Sequence, residues 1–186
     1  MSKVGIIVGT TRPGRNGEAV AQWVRDLAAK RGDAEYELVD LKDYALGHLD
    51  EPKIPAMGDY QHEHTKRWSA KISSFDAFVF VTPEYNHSIT GALKDAIDFL
   101  YAEWNNKAAG FVGYGVDGGV RAVEHLRHIL AMVGVATVTH QVALSIYTDF
   151  ENATAFKPAA THEDKLNLML DQVLAWGGAL GTLRAS

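Results

Sequence analysis

The residues of this chain best suited to do chemistry fall in three short stretches that set glycines beside polar side chains. The first reads Gly9-Thr10-Thr11-Arg12-Pro13-Gly14-Arg15-Asn16-Gly17-Glu18 and brings hydroxyls, guanidinium groups and an amide to the start of a segment with helical period. A helix N-terminus offers unbonded N–H groups and the positive end of its dipole. Glycine lets backbone approach an oxygen closely, and arginine adds bidentate charge-assisted bonds. Such a set suits a phosphate; the plainer reading is a polar strand-to-helix turn with solvated arginines. Gly9 and Gly14 have the spacing of a nucleoside-triphosphate loop. Arg15-Asn16, however, stands where Lys-Ser/Thr is needed, so the hydroxyl that would hold Mg²⁺ is missing. The dinucleotide fingerprint G-x-G-x-x-G is absent as well, which leaves a mononucleotide phosphate as the better fit.

The second stretch is Thr82-Pro83-Glu84-Tyr85-Asn86-His87-Ser88, running into Ile89-Thr90-Gly91. Pro83 stiffens the turn, Tyr85 offers an aromatic edge or face, and Asn86 presents both a donor and an acceptor. A planar heteroaromatic ring needs such a wall and a few directional polar contacts. Read plainly, it is a rigid turn with Ser88 as helix cap. The third stretch, Gly115-Val116-Asp117-Gly118-Gly119-Val120-Arg121, offers closely approachable backbone at another helix start. A reduced flavin carries negative charge at the N1 and C2-carbonyl end of its ring, where backbone N–H groups and a helix dipole are stabilising. The plainer reading has Asp117 capping a helix after a tight turn.

These stretches need a scaffold that brings them to one place. Apolar runs at residues 4–8, 77–81 and 111–114 lack period-two alternation, so both faces of those strands are covered, as in a parallel sheet. Tyr36-Glu37-Leu38-Val39-Asp40 alternates and suits a strand nearer an edge, and a weaker strand falls around residues 136–142. Between them, apolar stripes with i, i+3, i+4, i+7 spacing run through Val20, Trp23, Val24, Leu27 and Ala28, through Ile89, Leu93, Ala96, Ile97 and Leu100, and through Leu126, Ile129, Leu130 and Val133. A more polar helix carries Trp68 and Ile72, and Leu166, Met169, Leu170, Val173 and Leu174 mark a C-terminal one. The pattern predicts an α/β doubly wound sandwich of one domain over residues 1–186, with a five-stranded parallel sheet. In such a sheet, ligands bind beyond the carboxyl ends of the strands, where all the glycine-bearing stretches fall.

Composition narrows the function. Apolar residues at 47% and charged residues at 22% are ordinary for a globular chain, and a formal charge of −5 gives no footprint for nucleic acid or an anionic membrane. Cysteine is absent, which removes thiolate nucleophiles and zinc-thiolate sites and makes a redox role depend on a borrowed cofactor. No apolar run approaches the ~20 residues that span a bilayer, and the N-terminal run is too short for a signal peptide, so a cytoplasmic location is expected. Residues 42–60 and 147–162 form long connections, the length at which loops meet ligands or partner subunits.

Thr82-Pro83-Glu84-Tyr85-Asn86 followed by Gly91-x-Leu93-Lys94-x-x-Ile97-Asp98 resembles the NADPH-dependent FMN reductase family, the branch of flavodoxin-like proteins that includes quinone, azo-dye and chromate reductases. The resemblance runs from residue 4 to about residue 135. The first loop is similar to the family's Gly-Ser-x-Arg turn, with Thr10 in place of Ser. The resemblance implies a flavodoxin-like fold that binds FMN and takes electrons from NADPH or NADH for a small acceptor such as a flavin or a quinone. Thr10 and Arg12 are implied to bind the FMN phosphate together with Gly17 and with Arg15 or Asn16, a choice left open because relatives carry serine later in this loop. Pro83, Glu84, Tyr85 and Asn86 are implied to line the isoalloxazine, and His87 either covers the flavin or faces solvent. Gly115, Val116, Asp117, Gly118 and Gly119 hold its pyrimidine side, so a valine at Gly119 is expected to impair flavin binding in a folded domain. A homodimer or homotetramer with the flavin near the subunit boundary is also implied.

No side chain is assigned as acid, base or nucleophile, because the cofactor performs the chemistry. A flavodoxin-type electron carrier is the alternative, against which Arg12 weighs, since its phosphate loop is rich in Ser, Thr and Gly; a flavin- or quinone-responsive regulator is another. His62 and His64 are expected to point apart on a helix, and no histidine completes a metal motif. Trp23 and Trp176 are expected in the core, while Tyr101 and Trp104 are candidates for a subunit interface.

Overall fold

The structure is a computed structural model that describes residues 1–184. Strands β1 (Lys3–Val8), β2 (Glu35–Asp40), β3 (Ala77–Pro83), β4 (Lys107–Gly115) and β5 (Val135–Ser145) form one parallel sheet in the order β2-β1-β3-β4-β5. The alternating strand β2 is at an edge, and the continuously apolar β1, β3 and β4 are interior, as the patterning predicts. Helices α1 (Gly17–Ala29), α2 (Glu63–Ser73), α3 (Gly91–Asp98), α4 (Val120–Met132) and α5 (Thr161–Arg184) supply the crossovers and the C-terminal cover. A short antiparallel hairpin of β6 (Phe150–Glu151) and β7 (Ala155–Phe156) lies in the second long connection.

Because side chains alternate along a strand, each buried strand feeds two different cores. Val4, Ile6, Val8, Val79, Val81 and Val112 point to the face covered by α1 and α5. Ile7, Phe78, Phe80 and Phe111 point to the face covered by α2, α3 and α4, where Trp68 and Trp104 join them. Gly110 leaves room for α5: a Cβ there would lie 2.8 Å from Met169 and Val173 side-chain atoms. The β4–β5 register shifts between Ala109 and Phe111, and the Phe111 N–H donates to Met169 Sδ at 3.1 Å.

Trp104 is fully buried, not a surface anchor. Its indole N–H donates to the Ile97 carbonyl at 3.2 Å, and that of Trp68 to the Ala96 carbonyl at 2.8 Å. Both carbonyls belong to the last turn of α3, where few helical donors remain; that of Ile97 also accepts from the Leu100 N–H at 3.3 Å. Trp176 is 44% exposed on α5, so only Trp23 of the expected pair packs on the core. His62 is the cap residue before α2 and not part of it, so its ring stacks on that of His64 at 5.3 Å. The cap of α3 is Thr90, not Ser88: its Oγ1 accepts from the Leu93 N–H at 3.0 Å and donates to the Gly9 carbonyl at 2.6 Å.

Candidate functional site

The loops after β1, β3 and β4 meet at the carboxyl edge of the sheet. In the first, Asn16 sits at the cap position of α1 but makes no side-chain cap, and the first backbone bond of the helix runs from the Val20 N–H to the Asn16 carbonyl at 3.2 Å. The N–H groups of Asn16, Gly17, Glu18 and Ala19 therefore find no acceptor among the described residues. Gly17 is required by its neighbours, since a Cβ would lie 2.7 Å from Tyr114 Oη and 2.8 Å from Thr10 Cγ2. Tyr114 is buried under this turn, and burial raises its phenol well above the ordinary range.

The two arginines of this loop diverge. Arg15 is nearly buried and ion-paired to Asp40 at the end of β2, with Glu18 3.7 Å away; its buried Nε has no partner among the described residues. Arg12 is exposed and donates through Nε to Tyr85 Oη at 3.2 Å. Thr10 Oγ1 is 3.3 Å from the same phenol oxygen. Tyr85 thus reaches from the second loop into the first.

The second loop is a tight turn. Tyr85 and Ser88 exchange backbone bonds of 2.9 and 3.1 Å, and Asn86 and His87 between them have φ of 48° and 71°. A turn with both central residues left-handed favours Asn at the first and Gly at the second, so His87 occupies a position costly for a side chain. Its ring lies 6.0 Å from that of His125, whose Nδ1 is 2.9 Å from Ser88 Oγ. Both Asn86 and His87 are exposed at the edge of the site.

Glu84 ties the second loop to the third. Its N–H donates to the Tyr114 carbonyl at 3.1 Å, and its carboxylate accepts from the Arg121 N–H at 3.1 Å and forms an ion pair with the Arg121 guanidinium. Arg121 also holds Asp117 at 2.5 Å, so Asp117 is not the cap of α4. These bonds hold the guanidinium charged more firmly than usual, with Glu84 the larger contributor. The N–H groups of Val116, Asp117 and Gly119 find no acceptor among the described residues. Gly118 and Gly119 have φ of 71° and 68°, and a Cβ on Gly119 would lie 2.6 Å from the Tyr114 nitrogen. The close approach at Gly119 is therefore to the protein's own backbone, and a valine there disturbs the scaffold itself.

Every residue expected to form the site lies on these loops or on the element end that bounds them: Thr10, Arg12, Arg15, Asn16 and Gly17 at the first, Pro83 to His87 at the second, and Gly115 to Gly119 at the third, with Gly17 opening α1, Pro83 ending β3 and Gly115 ending β4. Side-chain contacts join the loops at Tyr85 and Glu84, whereas the side chain of Arg15 turns away to Asp40. Sequence reasoning missed Asp40 as the counter-ion of Arg15 and Arg121 as that of Glu84. It also missed the hairpin, whose Ala153 carbonyl accepts from Asn16 Nδ2 at 3.3 Å. Asp40 ends a strand beside the first loop, a position that could have flagged it; no local signal pairs Asn16 with a residue so distant in sequence.

The family model described as NADPH-dependent FMN reductase matches residues 2–149. An NAD(P)H-dependent FMN reductase of Schizosaccharomyces pombe is 39% identical over 149 residues, covering 79% of this chain and 74% of that protein. Among solved structures, the flavoenzyme NAD(P)H:(acceptor) oxidoreductase FerB of Paracoccus denitrificans superposes with a TM-score of 0.70 at 24% identity, over 96% of this chain and 98% of that one. A flavodoxin of Streptococcus pneumoniae superposes with a TM-score of 0.59 at 12% identity, over 94% of this chain and 99% of that one. The fold is thus flavodoxin-like, as expected.

Proposed function

Because the chain belongs to the NADPH-dependent FMN reductase family, we propose that its FMN is held by the three loops at the carboxyl edge of the sheet, with the phosphate on the first. The observation that carries this reading is the row of N–H groups at residues 16–19 without acceptors among the described residues, in the same loop as the exposed guanidinium of Arg12. An uncapped helix start next to a cation fits a phosphate. Thr10 adds a hydroxyl. Arg15, paired to Asp40, fixes the shape of the loop.

Bound FMN supplies the redox chemistry of this NAD(P)H-dependent oxidoreductase, taking reducing equivalents from the nicotinamide and passing them to an oxidised acceptor. The chain's own residues bind and tune. Pro83, Glu84, Tyr85, Asn86 and His87 form the wall for the ring, and Gly115, Val116, Asp117, Gly118 and Gly119 turn N–H groups and the start of α4 toward its pyrimidine end. That arrangement favours the negative charge of a reduced ring. Glu84 and Arg121 lock the second loop against the third, so the ring wall and the pyrimidine donors keep one spacing.

The same reading takes residues 1–186 as one FMN-binding domain of a cytoplasmic enzyme that works as a homodimer or homotetramer. Its acceptor is a small oxidised molecule such as a free flavin or a quinone, with no nucleic acid or membrane partner. The test is spectroscopic: protein reconstituted with FMN shows a bound oxidised-flavin spectrum that NADPH bleaches under anaerobic conditions. FMN also raises the melting temperature more than riboflavin does, by the phosphate's share of the affinity. Equal stabilisation by both ligands would remove the phosphate from the first loop.

A further inference from the structure

The hairpin of β6 and β7 lies outside the motifs that carry the family resemblance, yet it is built against the phosphate loop. Its base is fixed by Asp149, which is 2% exposed. One carboxylate oxygen accepts from the Ser145 N–H at 2.9 Å and Thr148 Oγ1 at 3.0 Å. The other accepts from the Ala159 N–H at 3.1 Å and lies 2.9 Å from His162 Nε2. The opposite edge of the His162 ring is buried, and its Nδ1 has no hydrogen-bond partner among the described residues, so there the imidazole's one polar contact is to Asp149. Phe150 packs on Tyr114, and Phe156 on Phe150 and Trp23.

The tip is equally defined. Residues 151–154 form a turn closed by the Thr154 N–H on the Glu151 carbonyl at 3.1 Å, with Asn152 and Ala153 at φ of 51° and 57°. Two consecutive non-glycine residues in this region persist only where surroundings dictate them. The Ala153 carbonyl accepts from Asn16 Nδ2. An asparagine at a helix start ordinarily has extended backbone and folds back to cap the first turn; here Asn16 has φ of −80° and ψ of −16°, makes no side-chain cap, and points its amide to the hairpin, with the N–H groups of residues 16–19 open among the described residues.

We propose that this hairpin is a specificity element of the flavin site, which admits a flavin ending in a monophosphate and rejects one whose phosphate is extended, as in FAD. The inference rests on the placement of the phosphate on the first loop. The tip holds the Asn16 amide beside an uncapped helix start, which favours one phosphate. It also sets peptide backbone and the Ala153 carbonyl, an acceptor, beside that loop, where a second phosphate meets bulk and no donor. Rejection by a clash with backbone that presents an acceptor is how a pocket discriminates between ligands that share all their other contacts.

The test uses equilibrium binding of riboflavin, FMN and FAD, read by flavin fluorescence. In one variant Glu151 to Ala155 are replaced by two glycines, with Phe150 and Phe156 kept in place. Wild-type protein is expected to prefer FMN over FAD by about tenfold or more, and the shortened hairpin to bring that ratio down at least severalfold while riboflavin binding stays the same. An unchanged FMN-to-FAD ratio overturns the proposal. The reading beneath it fails separately, since FMN and riboflavin would then bind the wild type alike. Hydrogen exchange on the unmodified protein keeps the test independent of the variant's folding: FMN should slow exchange of the hairpin amides and riboflavin should not. Equal protection by the two ligands also overturns the proposal.

Discussion

Arg12 and Arg15 lie three positions apart in one loop, yet their surroundings give them different work. Arg12 is exposed, and among the described residues its guanidinium hydrogen-bonds to the Tyr85 phenol and forms no ion pair, so it is free to meet an incoming anion. Arg15 already has an anion in Asp40 and is nearly buried. Arg12→Ala should therefore weaken FMN by about 1.5–3 kcal/mol, the scale of a charged hydrogen bond, and riboflavin much less. Isothermal titration with both ligands measures the gap; equal weakening would place Arg12 at the ring. Arg15→Ala leaves Asp40 unpaired, so it should lower the melting temperature of the flavin-free protein, which Arg12→Ala should leave nearly unchanged. Gly119 completes the residue scale. With a left-handed φ and a Cβ position 2.6 Å from backbone, Gly119→Ala should cost about 1–3 kcal/mol of stability before any flavin is added. Urea unfolding of the flavin-free variant checks this, and an unchanged midpoint would return Gly119 to a purely ligand-facing role.

At the scale of elements, periodicity marked every strand of the main sheet, because β1, β3 and β4 are buried on both faces while the edge strand β2 is only partly covered. It also marked the stripes of the helices, though Ile89 and Leu100 fall outside α3 and pack on the same core from its flanks. What it missed depends on contacts between distant residues. Trp104 follows a short helix and looks like a surface anchor until the last turn of α3 supplies a carbonyl for its indole. The hairpin has strands of only two residues and no Asn-Gly turn, and it is held by Asp149 and by aromatic packing that no local pattern reports. The site was legible as three loops through composition and motif, but the bonds between loops, Tyr85 to Arg12 and Glu84 to Arg121, are long-range facts. Trp104→Phe separates the two views of that residue. A core role predicts a loss of about 1.5–3 kcal/mol in urea unfolding, from lost ring volume and the indole hydrogen bond. An interface role predicts a change in sedimentation with stability kept.

Across the whole molecule the two ends of the sheet do opposite things: the carboxyl end leaves N–H groups open for a ligand, and the amino end buries a charge. Lys107, the first residue of β4, donates to the Ile72 carbonyl at 2.8 Å and lies 5.4 Å from the centre of the Phe78 ring. Burial pushes its ammonium down from the ordinary 10.5 to about 8; Arg184 lowers it further, while Asp76 and Glu103 pull the other way. Between those two values the unfolded chain holds a proton on Lys107 that the folded protein has released. Stability therefore rises with pH across that window and falls as pH drops through about 8. Tyr36, Tyr60 and Tyr114 have phenols raised by burial above their ordinary 10.0, and they reverse the trend once the unfolded tyrosines ionise. The window to measure is thus from about pH 8 to just below 10, by urea unfolding of wild type and Lys107→Met. The variant should lose the rise. It should also be the more stable protein at pH 7, because Ile72 keeps the Phe75 N–H as a donor to its carbonyl and a thioether needs no solvation. Sites this far apart with no shared partner contribute additively, so saturating FMN should raise both proteins by the same amount and leave their difference unchanged at every pH. A difference that moved with FMN would mean that β4 couples the buried lysine at one end to the flavin loop at the other.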